Sequence, residues 1–171
     1  SPGLKGFYVM VKGIITKGSS MPVFRGNFTS RIPDLSLMSL PSHSLLKTQG
    51  KIAISKQGMA FAGTMIVGST QSGVNITTST AGKRPMIVAD IRSPAVYLKD
   101  LVAASESSRG TKTESRRIFS TEPVPLDLLR SMDIKAAITA GRVHGYTGKE
   151  ILQDFNLGVS LEDGLLRVDP L

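Results

Sequence analysis

The segment FNLGVSLEDGLLRVDPL, residues 155 to 171, constrains this chain more than any other. Apolar and polar residues alternate on both sides of Asp163-Gly164. Both members of that pair tolerate the positive φ of a type I′ turn, the usual two-residue hairpin loop. With that loop, Leu161 faces Leu166 and Val159 faces Val168, while Ser160 faces Arg167 and Gly158 faces Asp169. One register therefore sends the apolar side chains to one side. A slip of one residue would invert every side chain, so pattern and turn fix each other.

The same test finds further hairpins. A loop at Gln57-Gly58 puts Ile54 opposite Phe61 and Ile52 opposite Gly63, and the strand continues through Met65 and Val67. A four-residue loop, Thr70 to Gly73, then brings Ile76 opposite Val67. A loop at Ala140-Gly141 puts Ile138 opposite Val143. Each reads as an antiparallel pair with one apolar face. Further strands are expected over FYVMVKGIIT (7–16) and PVFRGNFTSRI (22–32), with Phe24 and Phe28 on one face.

Between strands the pattern breaks. Asp34 can cap a short helix near 34–40, which Pro41 stops. YLKDLVAA (97–104) reads as another short helix, and PVPLDLLRSMD (123–133) as a third. Residues 103–122 are rich in Ser, Thr, Arg and Glu, the composition of a polar linker. The expected organisation is a first β block at 1–102, the linker at 103–122, and a second β block at 123–171 that continues the same sheet. No long helices alternate with the strands, which argues against a parallel α/β fold.

Composition narrows the function. Hydrophobic residues make up 40% of the 171, which is ordinary globular material. There is no cysteine, hence no disulfide, thiolate or cysteine-based zinc chemistry. Aromatic residues are 5% with no Trp, which argues against a stacking platform for single-stranded nucleic acid. The net charge of +8 favours anionic lipid or phosphate without specifying either. No run approaches the roughly 20 apolar residues of a membrane-spanning helix, and no signal peptide is visible. The abrupt ends lead to the expectation that the chain is part of something longer.

Motifs for chemistry are sparse. AGKRP and TGKEI contain Gly-Lys, but neither has the spacing of a phosphate-binding loop. His43 and His144 lie far apart in sequence and read as surface loop residues. Glu162, Asp163 and Asp169 sit at a turn and a strand end, where turn chemistry accounts for them. Arg109, Lys112, Arg116 and Arg117 form the densest basic cluster, in the linker. Asn27 and Asn75 match the short glycosylation pattern, both within expected strands. No catalytic residue, cofactor site or metal site is expected, and the chain does not read as an enzyme.

The apolar face itself carries most content. Its expected members are Ile52, Ile54, Phe61, Met65, Val67, Ile76, Ile134, Ile138, Phe155, Leu157, Val159, Leu161, Leu166 and Val168. Such a face must be covered, either by a second sheet in a β-sandwich or by an apolar ligand.

Several stretches, taken in order, resemble the AsmA family of bacterial envelope proteins. Residues 118–171, from IFSTEPVPLDLLRSMD through IKAAITAGRVHGY to ILQDFNLGVSLEDGLLRVDPL, are similar to the family's C-terminal signature. GTMIVGSTQSGVNITTSTAGKRPMIVADIRSPAVYLKDL (63–101) and PDLSLMSL (33–40) resemble elements that precede it. The resemblance covers about residues 20 to 171. It lacks the family's N-terminal membrane anchor and ends where family members continue.

The resemblance implies a mostly antiparallel β-meander, curled into a trough or taco-like groove with short helices; a β-sandwich is the alternative. It implies a periplasmic segment, anchored in the inner membrane through a part missing from this chain. Its role would be phospholipid transfer between envelope membranes and outer-membrane homeostasis. The fourteen apolar positions would be groove residues. Expected partners are phospholipid acyl chains, the inner and outer membranes, and other envelope proteins, with no nucleic acid. Two alternatives remain open: a scaffold for outer-membrane assembly acting by β-augmentation, and a β-sandwich binding module.

Overall fold

A computed structural model describes residues 6–17, 22–35, 43–101 and 131–170. The linker expected at 103–122, its basic cluster and most of the third expected helix lie outside the described residues. So does the helix expected near 34–40 beyond Leu35. The elements are β1 (Tyr8–Lys17), β2 (Pro22–Ile32), β3 (Leu46–Ser55), β4 (Gly58–Val67), β5 (Thr70–Ser79) and β6 (Met86–Tyr97). A one-turn helix, α1 (Leu98–Leu101), follows, then β7 (Asp133–His144), β8 (Glu150–Glu162) and β9 (Leu165–Pro170).

All nine strands form one sheet in sequence order, and β1 does not meet β9, so the sheet stays open. Every neighbouring pair is antiparallel except β6 and β7, which run parallel. That junction is the one departure from a simple meander. The fold is the mostly β, curled meander expected from the sequence, with this one parallel step added. Among the described elements, strands pack substantially only on their sheet neighbours. No described element forms the second layer that a sandwich needs.

The turns show which sequence signals were sufficient. At Asp163-Gly164 both residues take positive φ (55° and 77°), and all four cross-strand pairs read from the sequence are present. The β3–β4 turn is Lys56-Gln57, so Ile54 faces Met59 and Ile52 faces Phe61, a correction of two residues. Gly58 opens β4 at φ 148°, where an added Cβ would lie 1.8 Å from the Thr78 carbonyl oxygen. The β4–β5 turn is Gly68-Ser69 rather than Thr70 to Gly73, and Ile76 faces Phe61, not Val67.

The expected Ala140-Gly141 turn does not exist; β7 runs straight through it. Gly141 stands beside Pro94 on β6, between the paired rows Ser93–Ala140 and Ala95–Arg142. Pro94 has no N–H to give the ladder. A Cβ at Gly141 would approach the Pro94 carbonyl to 2.9 Å. The glycine accommodates a gap in the ladder, and the true turn follows Gly145, with Gly148 at φ 80°.

Curvature comes from glycines paired across strands. Gly13 faces Gly26, and Gly50 faces Gly63. A Cβ at any of the four would lie 2.1–2.4 Å from a carbonyl oxygen of the neighbouring strand. Backbones that close let the sheet bend here, and aromatic rings fill the space left by the missing side chains. The Phe24 ring lies over Gly13 and the Phe61 ring over Gly50. Phe28 meets Phe61 edge to face at 5.8 Å. Glycine bends with aromatic cover are a recognised way to curve a sheet.

Gly50→Val is therefore expected to destabilise the chain by about 3 kcal/mol, since backbone rather than a flexible side chain must yield. Gly73→Ala, where a Cβ would meet only the Arg92 carbonyl at 3.8 Å, should be near neutral. Chemical denaturation of both variants measures the contrast.

Candidate functional site

Side chains on a strand alternate between faces, and directly paired residues share one. Following the pairings across the sheet puts Ile52, Ile54, Phe61, Met65, Val67 and Ile76 on one face of β3–β5. The chain of pairs Ile76–Ala89–Ala136–Val159–Val168 carries that face to β9. Ile134, Ile138, Phe155, Leu157, Leu161 and Leu166 join it through the same ladders. All fourteen apolar positions read from the sequence thus share one face, termed inner here. The two registers that needed correction moved by even numbers of residues, which leaves facing unchanged.

The structure adds members that the sequence reading passed over. Val9, Val11 and Ile15 on β1 lie opposite Ser30, Phe28 and Phe24. Val74, just past the expected loop, is among the most buried residues. Ile87 and Ile91 on β6 complete the strip. Burial is graded along it. Leu161, Val67, Phe61 and Ile52 are buried, whereas Ile54, Leu166 and Val168 are 43%, 58% and 56% exposed. The middle of the strip is buried, and its margins face solvent.

The inner face is not apolar throughout. Ser30, Thr48, Met65 and Ser72 form one row across β2–β5, and the Ser72 hydroxyl bonds that of Ser93 on β6. Three of these hydroxyl residues, Ser30, Ser72 and Ser93, are buried. Nearby, Asp100 of α1 is buried and ties down the β4–β5 turn. Its Oδ2 accepts hydrogen bonds from the Ser69 N–H (2.7 Å), the Thr70 N–H (3.1 Å) and the Thr70 hydroxyl (3.3 Å). This contact spans thirty residues, so no local signal could have placed the turn.

The opposite, outer face is more polar, and over β6–β9 several of its charges are paired. Arg92 donates to Asp90 at 2.7 Å and Lys135 meets Glu162 at 2.7 Å. The hydrogen bond from Arg92 holds the Asp90 carboxyl below its ordinary range, and that from Lys135 does the same for Glu162. Lowered folded values mean that these pairs contribute above the usual carboxylate range. Their contribution is lost as pH falls through the lowered values. Arg84 bridges Asp133 and Asp163, joining the β5–β6 loop to the last hairpin. A shallow, mostly apolar depression of about 590 Å³ also lies on this side, crossing β1–β5. Its walls include Lys12, Arg25, Lys51 and Ala62.

The remaining candidates stay apart. His43 pairs with Asp34 at 3.1 Å, while His144 stacks on Tyr97 with ring centres 4.6 Å apart. Asn27 and Asn75 are exposed on the outer face. Among the described residues, no three His, Asp or Glu gather as a metal site, and no helix is long and apolar enough to cross a membrane. Comparison with family models, curated proteins and solved structures returned no match.

Asp100→Ala strips two backbone amides and a hydroxyl of their acceptor in a buried setting. It is expected to destabilise by about 2 kcal/mol and to speed amide exchange at Ser69 and Thr70 before the rest of the sheet. Hydrogen-exchange measurements on the folded protein report both effects.

Proposed function

We propose that the inner face is an apolar groove that shields lipid acyl chains, and that the chain serves phospholipid transfer in the bacterial periplasm without enzymatic chemistry. One observation supports this reading above others: apolar positions on successive strands line up on one face that no described element covers. Envelope localisation is supported by the resemblance of residues 118–171 and 63–101 to AsmA proteins.

The physical argument concerns transfer between phases. An acyl chain of about fifteen methylenes pays roughly 12 kcal/mol to enter water. A groove need not hold lipid better than a bilayer does; it need only remove that penalty along the way. Acyl chains offer no directional chemistry, so continuity of apolar surface matters more than any single group. Nine strands give eight spacings of about 4.8 Å, a floor roughly 38 Å long. The row of buried hydroxyls at Ser30, Ser72 and Ser93 gives part of this floor a polar margin, compatible with a lipid's ester region.

A second reading has its own support. All ten residues of β1 are exposed, and its outer edge is unpaired among the described strands. An edge of this kind can accept a partner's strand, making the chain an assembly scaffold.

Lipids extracted from protein purified out of membrane-containing cells distinguish these readings. Phe61→Asp and Leu157→Asp should lower the lipid-to-protein ratio to below about a tenth of the unmodified value, because a carboxylate in the groove is costly to desolvate. Circular dichroism should stay that of a β-sheet. Unfolding of both variants would instead indicate a closed core. Unchanged lipid content, with sensitivity only to Val11→Pro on the edge, would favour the scaffold.

A further inference from the structure

Charge in this chain is segregated. Residues 1–80 contain eight Lys and Arg against a single acidic residue, Asp34, while residues 81–171 contain thirteen against twelve. The pairings concentrate this excess on one surface. Lys12, Arg25, Arg31, Lys47 and Lys51 all lie on the outer face of β1–β3. Arg31 and Lys47 are directly opposite each other, an arrangement that repels. Among the described residues, none of the five has a carboxylate partner. On β6–β9, by contrast, Arg92 and Lys135 each have one. Exposed cations without a described carboxylate partner attract an external anion.

Apolar residues lie beside the cations. Tyr8, Met10 and Ile14 occupy the outer face of β1 and are 44%, 48% and 67% exposed. The depression walled by Lys12, Arg25 and Lys51 is itself mostly apolar. A nucleic acid would use the charge but leave the aliphatic side chains in water. An anionic bilayer uses both, since its phosphates meet Lys and Arg while apolar side chains enter the headgroup boundary. Six residues of β2 separate Arg25 from Arg31, so the cluster extends about 20 Å along the strands and two strand spacings across. This is a broad surface suited to a planar partner.

We infer that the outer face of β1–β3 docks against the surface of an anionic lipid bilayer, through the cations Lys12, Arg25, Arg31, Lys47 and Lys51 and the exposed Tyr8, Met10 and Ile14. This surface is opposite the proposed groove and would act whether or not the inner face carries lipid.

Co-sedimentation with phosphatidylcholine vesicles, with and without phosphatidylglycerol, tests it. The chain should bind the anionic vesicles and not the neutral ones, and binding should weaken steeply as salt is raised. Each neutralised cation should weaken it about fivefold. The triple change Lys12→Gln, Arg25→Gln, Lys51→Gln should therefore weaken it by about two orders of magnitude. These side chains are exposed, so the β-sheet spectrum should persist. Removing the repelling pair with Arg31→Gln and Lys47→Gln should weaken docking without lowering the melting temperature. Leu166→Asp, on the exposed margin of the inner face, should leave docking intact, which separates this result from failure of the groove. Equal binding to neutral vesicles, no loss in the triple variant, or equally tight binding to a short DNA duplex would overturn the assignment.

Discussion

The structure depends on one constraint: side chains on a β-strand alternate, so an ordered stack of strands sorts them into two faces whether or not both can be hydrated. Here one face is aliphatic and aromatic across nine strands, and no described second layer takes it out of water. The sheet responds by curling. Paired glycines at Gly13–Gly26 and Gly50–Gly63 let neighbouring backbones close in. Phe24, Phe28 and Phe61 then cover the bared backbone. The middle of the strip is buried, and its margins at Ile54, Leu166 and Val168 are exposed. The geometry that makes the sheet tolerable in water also makes it a trough.

Facing was more legible in the sequence than register. The Asp163-Gly164 hairpin was legible in full because its turn residues and its flanking alternation agree. At Lys56-Gln57 and Gly68-Ser69 the alternation was right and the turn was wrong. The errors were even, so Ile52, Phe61 and Ile76 still fell on the inner face. What displaced those turns is nonlocal: the close approach of Gly58 to the Thr78 carbonyl, and the Asp100 carboxylate reaching back to Ser69 and Thr70. The false turn at Ala140-Gly141 has the same origin. A glycine there signalled a bend, yet its purpose is to accommodate Pro94 on a parallel neighbour, and that pairing has no local signature. Ser72 fell inside the misplaced turn and was lost to the site with it, whereas Val74, just past that turn and in phase with Ile76, was legible and passed over.

The two faces also differ in how their polar groups are satisfied. On the inner face the buried hydroxyls find partners within the chain, as Ser72 and Ser93 find each other. On the outer face the solution changes along the sheet. β6–β9 pair some of their charges diagonally or within a strand, as with Lys135–Glu162 and Asp90–Arg92. The cations of β1–β3 have no carboxylate partner among the described residues. Exposed pairs contribute little to stability, so this asymmetry concerns what approaches the surface rather than whether the sheet forms.

The two edges are unequal in a related way. β9 is six residues long, carries Arg167 and Asp169, and ends in a proline that cannot donate to a ladder. Shortness, charge and proline are the usual protections of a free edge. β1 has ten residues, no proline, and exposed apolar side chains on both faces. Its lysines, Lys12 and Lys17, are its only charges. Any extension through β1 would lengthen the inner strip on the side where Val9, Val11 and Ile15 already continue it, so a groove and a receptive edge are complementary properties of the same strand order.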